Sequence, residues 1–84
     1  MYDIYVCYCG ERIRLFHGNI CLRDAYSIIE DDHNQTVIDL KTILNKPPMA
    51  GFHDTIRERM SAGDDYEVVS TLTDEVIRRV HVVY

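Results

Sequence analysis

The sequence predicts an α+β fold, in which N- and C-terminal β-hairpins form a four-stranded antiparallel sheet and two or three short helices pack mainly on one face. Apolar and polar residues alternate around Gly10-Glu11 and again over residues 66–84, the pattern of half-buried strands. Between these segments, apolar residues recur at helical spacing. The predicted order is therefore ββααββ or ββαααββ. The 84 residues are expected to form a single compact domain, 1–84, because two domains would each have too small a core.

The first hairpin is expected to turn at Gly10-Glu11, because glycine at the first of two turn positions suits a type II′ turn. This turn pairs Tyr5 with Phe16 and Cys7 with Arg14, and it separates two faces. The expected core face carries Ile4, Val6, Tyr8, Ile13 and Leu15. The opposite face carries Asp3, Tyr5, Cys7, Cys9, Arg12, Arg14 and Phe16.

The first helix is expected to begin at an Asn19 cap. Its apolar stripe is formed by Leu22, Ala25, Tyr26 and Ile29. Residues 30–34 are expected to form a loop, since carboxylates at a helix C-terminus oppose the macrodipole.

A second helix is predicted over residues 36–45, where Thr36 and Asp39 have the spacing of a capping box, although residues 36–40 also fit a short strand. Pro47-Pro48 ends this element, because proline cannot continue a helix. A third helix, marked by Phe52, Ile56 and Met60, is expected to end at Gly63.

The second hairpin is expected to turn at Thr73-Asp74-Glu75, where a three-residue loop pairs Leu72 with Val76 and separates the faces better than a two-residue loop does. One face then carries Tyr66, Val68, Val80 and Val82. The reverse face carries Glu67, Val69, Thr71, Ile77, Arg79, His81 and Val83. Glu67 is expected to pair with His81 across the strands.

Helices on one side of the sheet leave the other side uncovered, and its predicted composition is an aromatic and aliphatic centre with arginines around it. That composition is typical of protein interfaces. The expected interface for another polypeptide comprises Tyr5, Cys7, Arg12, Arg14, Phe16, Val69, Ile77 and Arg79. Two alternatives stay open: the middle segment wraps both faces and makes these residues core, or a homodimer with a structural or regulatory role buries them.

A net charge of −5 and a pI near 5.1 argue against direct nucleic-acid binding, which depends on lysines and arginines. Arginines beside aromatic residues on a sheet keep nucleic-acid binding as the weaker alternative. The acidic residues suggest a phosphate-like surface that occupies the basic groove of a nucleic-acid-binding protein, as an inhibitor from a phage or mobile element would. The candidates for this acidic surface are Asp31, Asp32, Asp64, Asp65, Asp74 and Glu75.

No pattern in the sequence specifies a reaction, so we expect a non-catalytic protein without catalytic residues, cofactor or metal. The zinc-type residues Cys7, Cys9, His17 and Cys21 are not brought together by the predicted register. Cys7 and Cys9 lie opposite arginines, which makes either thiol a candidate for a lowered pKa. A cytoplasmic protein without a membrane span is expected, because there is neither a signal peptide nor a sufficiently long apolar run.

Overall fold

A computed structural model describes residues 1–8, 10–47 and 51–84, and for Tyr8 the backbone only. The elements are β1 (Tyr2–Tyr8), β2 (Glu11–Ile20), α1 (Leu22–Leu44), α2 (Phe52–Ala62), β3 (Asp64–Ser70) and β4 (Val76–Val82). All four strands form one antiparallel sheet in the order β2-β1-β3-β4. The predicted α+β class and ββααββ order are confirmed. The expectations for Cys9, Pro48 and the side chain of Tyr8 fall outside the described residues.

The core lies between the central strands and α1. In the register of β1 and β3, Ile4 pairs with Val68 and Val6 pairs with Tyr66, and all four residues are buried. The cluster is completed by Ile20, Ala25 and Ile29. Ile13, which the alternation assigned to the core, is exposed because β2 is an edge strand. Neither helix in the described ranges combines the length and hydropathy needed to cross a membrane.

Helix α1 is continuous from Leu22 to Leu44, so the predicted loop at residues 30–34 is wrong. No glycine or proline interrupts this segment. Tertiary contacts also hold it: Asp32 accepts a hydrogen bond from the Tyr66 phenol, and the His33 ring lies 5.0 Å from the Tyr84 ring. The predicted first and second helices are therefore one element.

The predicted caps of these two helices are wrong for the same reason. Strand β2 continues to Ile20, which pairs with Tyr2 and is buried, so Cys21 rather than Asn19 is the N-cap of α1. Thr36 lies inside the helix, where its hydroxyl donates to the Asp32 carbonyl oxygen at 2.8 Å.

The first hairpin has its turn one residue earlier than predicted. Tyr8 pairs with Glu11, so Gly10, with a φ of 76°, lies in the turn and Glu11 begins β2. The register therefore shifts by two residues, which keeps each side chain on its predicted face near the turn. A bulge then moves Phe16 opposite Ile4 instead of Tyr5.

The second hairpin has a longer loop than predicted. Tyr66 pairs with Val80 and Glu67 with Arg79, again two residues from the predicted register. Leu72 does not pair with Val76, because the backbone N–H of Asp74 donates to the carbonyl oxygen of Ser70 and closes a wider turn. A register shift between Val68 and Val69 then places Val76 opposite Val69.

Gly63 ends α2 as predicted, with a φ of 77°. A Cβ there would lie 2.2 Å from the Val82 carbonyl oxygen and 2.9 Å from Nε2 of His81. We expect Gly63→Ala to lower the free energy of unfolding by about 3 kcal/mol, because it adds this overlap to the strain of positive φ. Gly18→Ala is the control: its φ is 64° with no neighbouring atom within 4 Å, so about 1 kcal/mol is expected. Equal losses in urea unfolding would contradict the close contact.

Candidate functional site

The candidate site is the sheet face opposite α1, and residues of α2 border it at Cys7, with which they line a small cavity. We call it the open sheet face. It comprises Arg12, Arg14 and His17 on β2, Asp3, Tyr5 and Cys7 on β1, Asp65, Glu67 and Val69 on β3, and Val76, Arg79 and His81 on β4. Alternate residues of each strand share a face, and the register shifts in β2 and β4 add His17 and Val76 to it.

Glu67 is the central anion of the open sheet face. Its buried carboxylate accepts a hydrogen bond from Nε of Arg12 at 2.9 Å and another from Nη2 of Arg79 at 2.7 Å. The hydrogen bond from Arg79 lowers the pKa of Glu67; burial opposes this effect, and Arg12 adds to the lowering. One ionised carboxylate therefore ties the two edge strands to β3.

Asp3 is a second buried carboxylate. It lies opposite Val69, towards the end of the face that is away from Cys7 and Asp65. Its Oδ1 accepts the backbone N–H of Gly18 at 2.8 Å and lies 3.0 Å from Nδ1 of His17, while Arg14 lies 3.8 Å from Oδ2. Burial by itself raises the pKa of Asp3, but the contacts with Gly18, His17 and Arg14 outweigh it and lower the pKa. The bulge in β2 makes this cluster possible, because it brings His17 to this face.

Tyr5 lies between the two arginines of β2. The Arg12 guanidinium lies 4.3 Å from the centre of the Tyr5 ring, and the Arg14 guanidinium lies 5.7 Å from it. Arg14 also donates from Nη2 to the Tyr5 hydroxyl at 3.2 Å. Cation–π contacts and ion pairs thus hold both long side chains in defined positions.

Exposure separates the two central carboxylates of this face from its arginines. The side chains of Arg12, Arg14 and Arg79 are 36%, 50% and 60% exposed, whereas those of Glu67 and Asp3 are 8% and 10% exposed. These two carboxylates are thus buried beneath the arginines, while Asp65 at one end of the face is 44% exposed. At the arginines, an approaching molecule meets guanidinium N–H donors, which suit carboxylate or other anionic acceptors.

Six of the predicted interface residues lie on this face: Tyr5, Cys7, Arg12, Arg14, Val69 and Arg79. The predicted apolar centre is wrong. Val69 is only 1% exposed, because its central strand places Asp3 and Val76 on either side of it. The bulge in β2 places Phe16 opposite Ile4, and Ile77 is the extra residue at the register shift in β4. Phe16 and Ile77 are both exposed.

The predicted acidic surface is not one surface. Asp64 is buried and accepts hydrogen bonds from Arg59 at 2.9 Å and from the Tyr84 phenol. Asp32 binds the Tyr66 phenol, and Asp65 pairs with Nδ1 of His81 at 2.7 Å, in place of the expected Glu67–His81 pair. Asp31 is exposed on α1, whereas Asp74 and Glu75 are exposed in the loop before β4.

The Cys7 thiol and the phenols of Tyr66 and Tyr84 are poorly suited to nucleophilic chemistry. Burial raises the pKa of Cys7, and the neighbouring Glu67 raises it further, so the expected lowered pKa is wrong for this thiol. Burial and a hydrogen-bonded carboxylate likewise raise the pKa of Tyr66 and of Tyr84. Within the described residues, no three histidine, cysteine, aspartate or glutamate side chains are arranged to hold a metal ion.

Glu67→Gln tests the central anion through pH. The pKa of Glu67 is lowered from 4.5, so its contribution to stability is present above pH 4.5 and is lost as pH falls through the folded value. We expect the variant to lose about 2 kcal/mol at pH 7, because two arginines lose their shared partner, and the gap to wild type should close towards pH 3. Glu30→Gln, exposed on α1, should change stability by less than about 0.5 kcal/mol. A constant gap at every pH would contradict the role of the ionised carboxylate.

Cys7 is expected to react slowly with a disulfide reagent. We compare a Cys9→Ser/Cys21→Ser variant, which keeps Cys7, with a Cys7→Ser/Cys9→Ser variant, which keeps the exposed Cys21. At pH 8, Cys7 should react at least about tenfold more slowly, because it is partly buried and its thiolate is disfavoured. A rate equal to that of Cys21 would show that the thiolate is not disfavoured.

Comparison with known proteins adds no assignment to this geometry. The chain matches no protein-family model, no curated protein and no solved structure.

Proposed function

We propose that the protein is a non-catalytic binding module that docks another protein, in a stoichiometric complex, on the open sheet face. The observation that carries this proposal is the burial of Glu67 and Asp3 beneath Arg12, Arg14 and Arg79. Each guanidinium has five N–H donors and, among the residues that the structure describes, forms hydrogen bonds through one or two of its nitrogen atoms. The remaining donors favour a partner that presents aspartate or glutamate side chains.

Preorganisation supports a binding role for this face. An arginine free in solvent loses rotamer freedom when a partner immobilises it, and that loss opposes binding. Here Glu67 and the Tyr5 ring already restrict Arg12, and Glu67 restricts Arg79. Arginine and tyrosine are also the residue types that contribute most often to binding energy at protein interfaces.

The other functional hypotheses have less support. An inhibitor that uses acidic residues to occupy a basic groove retains only Asp31, Asp74 and Glu75 as fully exposed members, and these lie on two separate elements. A nucleic-acid role is opposed by the net charge of −5 and by the carboxylates beneath the arginines. A cytoplasmic site of action, where thiols stay reduced, is supported by the free thiols of Cys7 and Cys21.

The docking face can be located by cross-linking. A photoreactive residue is placed at Val76, on the rim of the open sheet face, or at Asp54, exposed on α2. In extracts of cells that naturally contain the chain, Val76 should give an adduct with one other protein, whereas Asp54 should not.

Arginine variants then test the chemistry of that complex. Arg14→Ala should weaken it at least about tenfold, because an exposed donor on the edge strand β2 of the face is removed. Arg57→Ala, an exposed arginine paired with Asp54 on α2, is the matched control and should leave affinity unchanged. Cross-linking from Asp54 alone, or equal losses for the two arginine variants, would refute the assignment to this face.

A further inference from the structure

We infer that the open sheet face also accepts the outer side of α1 from a second copy of this chain, giving a head-to-tail association. This inference rests on the proposed function, because it names an occupant for the same face. The two surfaces lie on opposite sides of the sheet, so one molecule can use both at once.

The outer side of α1 carries an acidic row, which we define as Asp24, Asp31 and Asp39. All three are exposed, and none forms an ion pair with any residue the structure describes. Asp24 and Asp31 are seven residues apart and lie only about 20° apart around the helix, whereas Asp39 lies about 80° from Asp31. Arg23 and Lys41 lie about 80° from Asp31 in the opposite direction, so they border the row on the side away from Asp39.

A symmetric contact between two open sheet faces is disfavoured by charge. The middle row of the face reads Arg14, Tyr5, Glu67 and Arg79 across the four strands. A two-fold axis in the plane of the interface and parallel to the strands places Arg14 of one copy opposite Arg79 of the second copy. A two-fold axis in the same plane but perpendicular to the strands places Arg14 of one copy opposite Arg14 of the second copy. Because like charges face each other in both cases, self-association through this face requires a different, acidic surface on the other molecule.

The spacing of the acidic row fits the arginines. Neighbouring strands lie about 4.8 Å apart, so the Cα atoms of Arg14 on β2 and Arg79 on β4 are about 14 Å apart. Asp24 and Asp31 are about 10.5 Å apart along the helix axis. A helix lying across the strands therefore brings one aspartate within reach of each arginine, since the long arginine side chains lean inward over the face.

The molecule exposes more surface and is more extended than a compact monomer of its size. The exposed area of 5772 Å² exceeds the value of about 5,200 Å² expected for a monomer of this mass. The radius of gyration of 14.3 Å exceeds the value of about 12 Å expected for this length. A face four strands wide buries about 400 Å² on each partner, half that of a standard interface, so the association should be weak and salt-sensitive.

Two charge reversals test the head-to-tail contact. Arg14→Glu blocks the sheet face, and Asp31→Lys blocks the acidic row; both positions are exposed. At about 0.5 mM protein and about 20 mM salt, wild type should form oligomers that grow with concentration and dissociate at about 0.5 M salt. Each single variant should be monomeric in sedimentation velocity. An equimolar mixture should form heterodimers that grow into mixed oligomers, because the two intact surfaces pair with each other and the two reversed surfaces complement each other as well.

The double variant Arg14→Glu/Asp31→Lys should regain oligomers, because the reversed charges again complement each other. Glu30→Lys, exposed on α1 but outside the acidic row, is the control and should associate like wild type. Circular dichroism checks that each variant is folded. If Arg14→Glu is not folded, Arg14→Gln is used in its place, and if Asp31→Lys is not folded, Asp31→Asn is used. A wild type that stays monomeric at about 1 mM, a dimer of fixed mass, or a mixture without heterodimer would overturn the inference. A monomeric wild type that still cross-links another protein from Val76 would leave the proposed function intact.

Discussion

The pairing of β1 with β3 is the interaction on which the rest of this structure depends. It joins the first and last thirds of the chain, and it makes these two strands the centre of the sheet. Ile4 and Val6 then meet Val68 and Tyr66 in one buried layer beneath α1. The same pairing makes β2 and β4 edge strands, so Arg12 and Arg79 reach inward from opposite edges to the single carboxylate of Glu67. The core and the open sheet face therefore form together.

Burying carboxylates beneath arginines couples stability to the proposed binding. Taking Glu67 and Asp3 out of water is unfavourable unless charged donors compensate for the lost hydration. The arginines provide this compensation and become ordered in doing so, which fixes the donors that face solvent. A substitution of Arg12 or Arg79 therefore changes folding and the proposed binding together. Arg14 separates the two effects better, because its nearest carboxylate oxygen, on Asp3, is 3.8 Å away and its hydrogen bond to Tyr5 is exposed.

The fold class and much of the site follow from local patterns in the sequence, whereas the register does not. Alternation places Tyr5, Cys7, Arg12, Arg14 and Arg79 on one face, and this assignment survives because the register near both turns differs by two residues, which preserves side-chain direction. No local signal marks the bulge in β2, which exchanges Phe16 and His17 between the faces. The continuity of α1 likewise depends on contacts distant in sequence, between Asp32 and Tyr66 and between His33 and Tyr84.

These departures change the chemistry of the face. Because Phe16 lies opposite Ile4 and Val69 is buried, the centre of the open sheet face is not a hydrophobic cluster. It consists of Tyr5, Glu67 and the arginines that contact them. A hydrophobic centre would bind many apolar surfaces, because the hydrophobic effect is non-directional. Guanidinium groups fixed over buried carboxylates require acceptors at matching positions and reject a cationic surface. Charge pairing of this kind chiefly accelerates encounter and determines which partner is accepted, so the open sheet face is better suited to selective, salt-dependent association than to tight, permanent assembly.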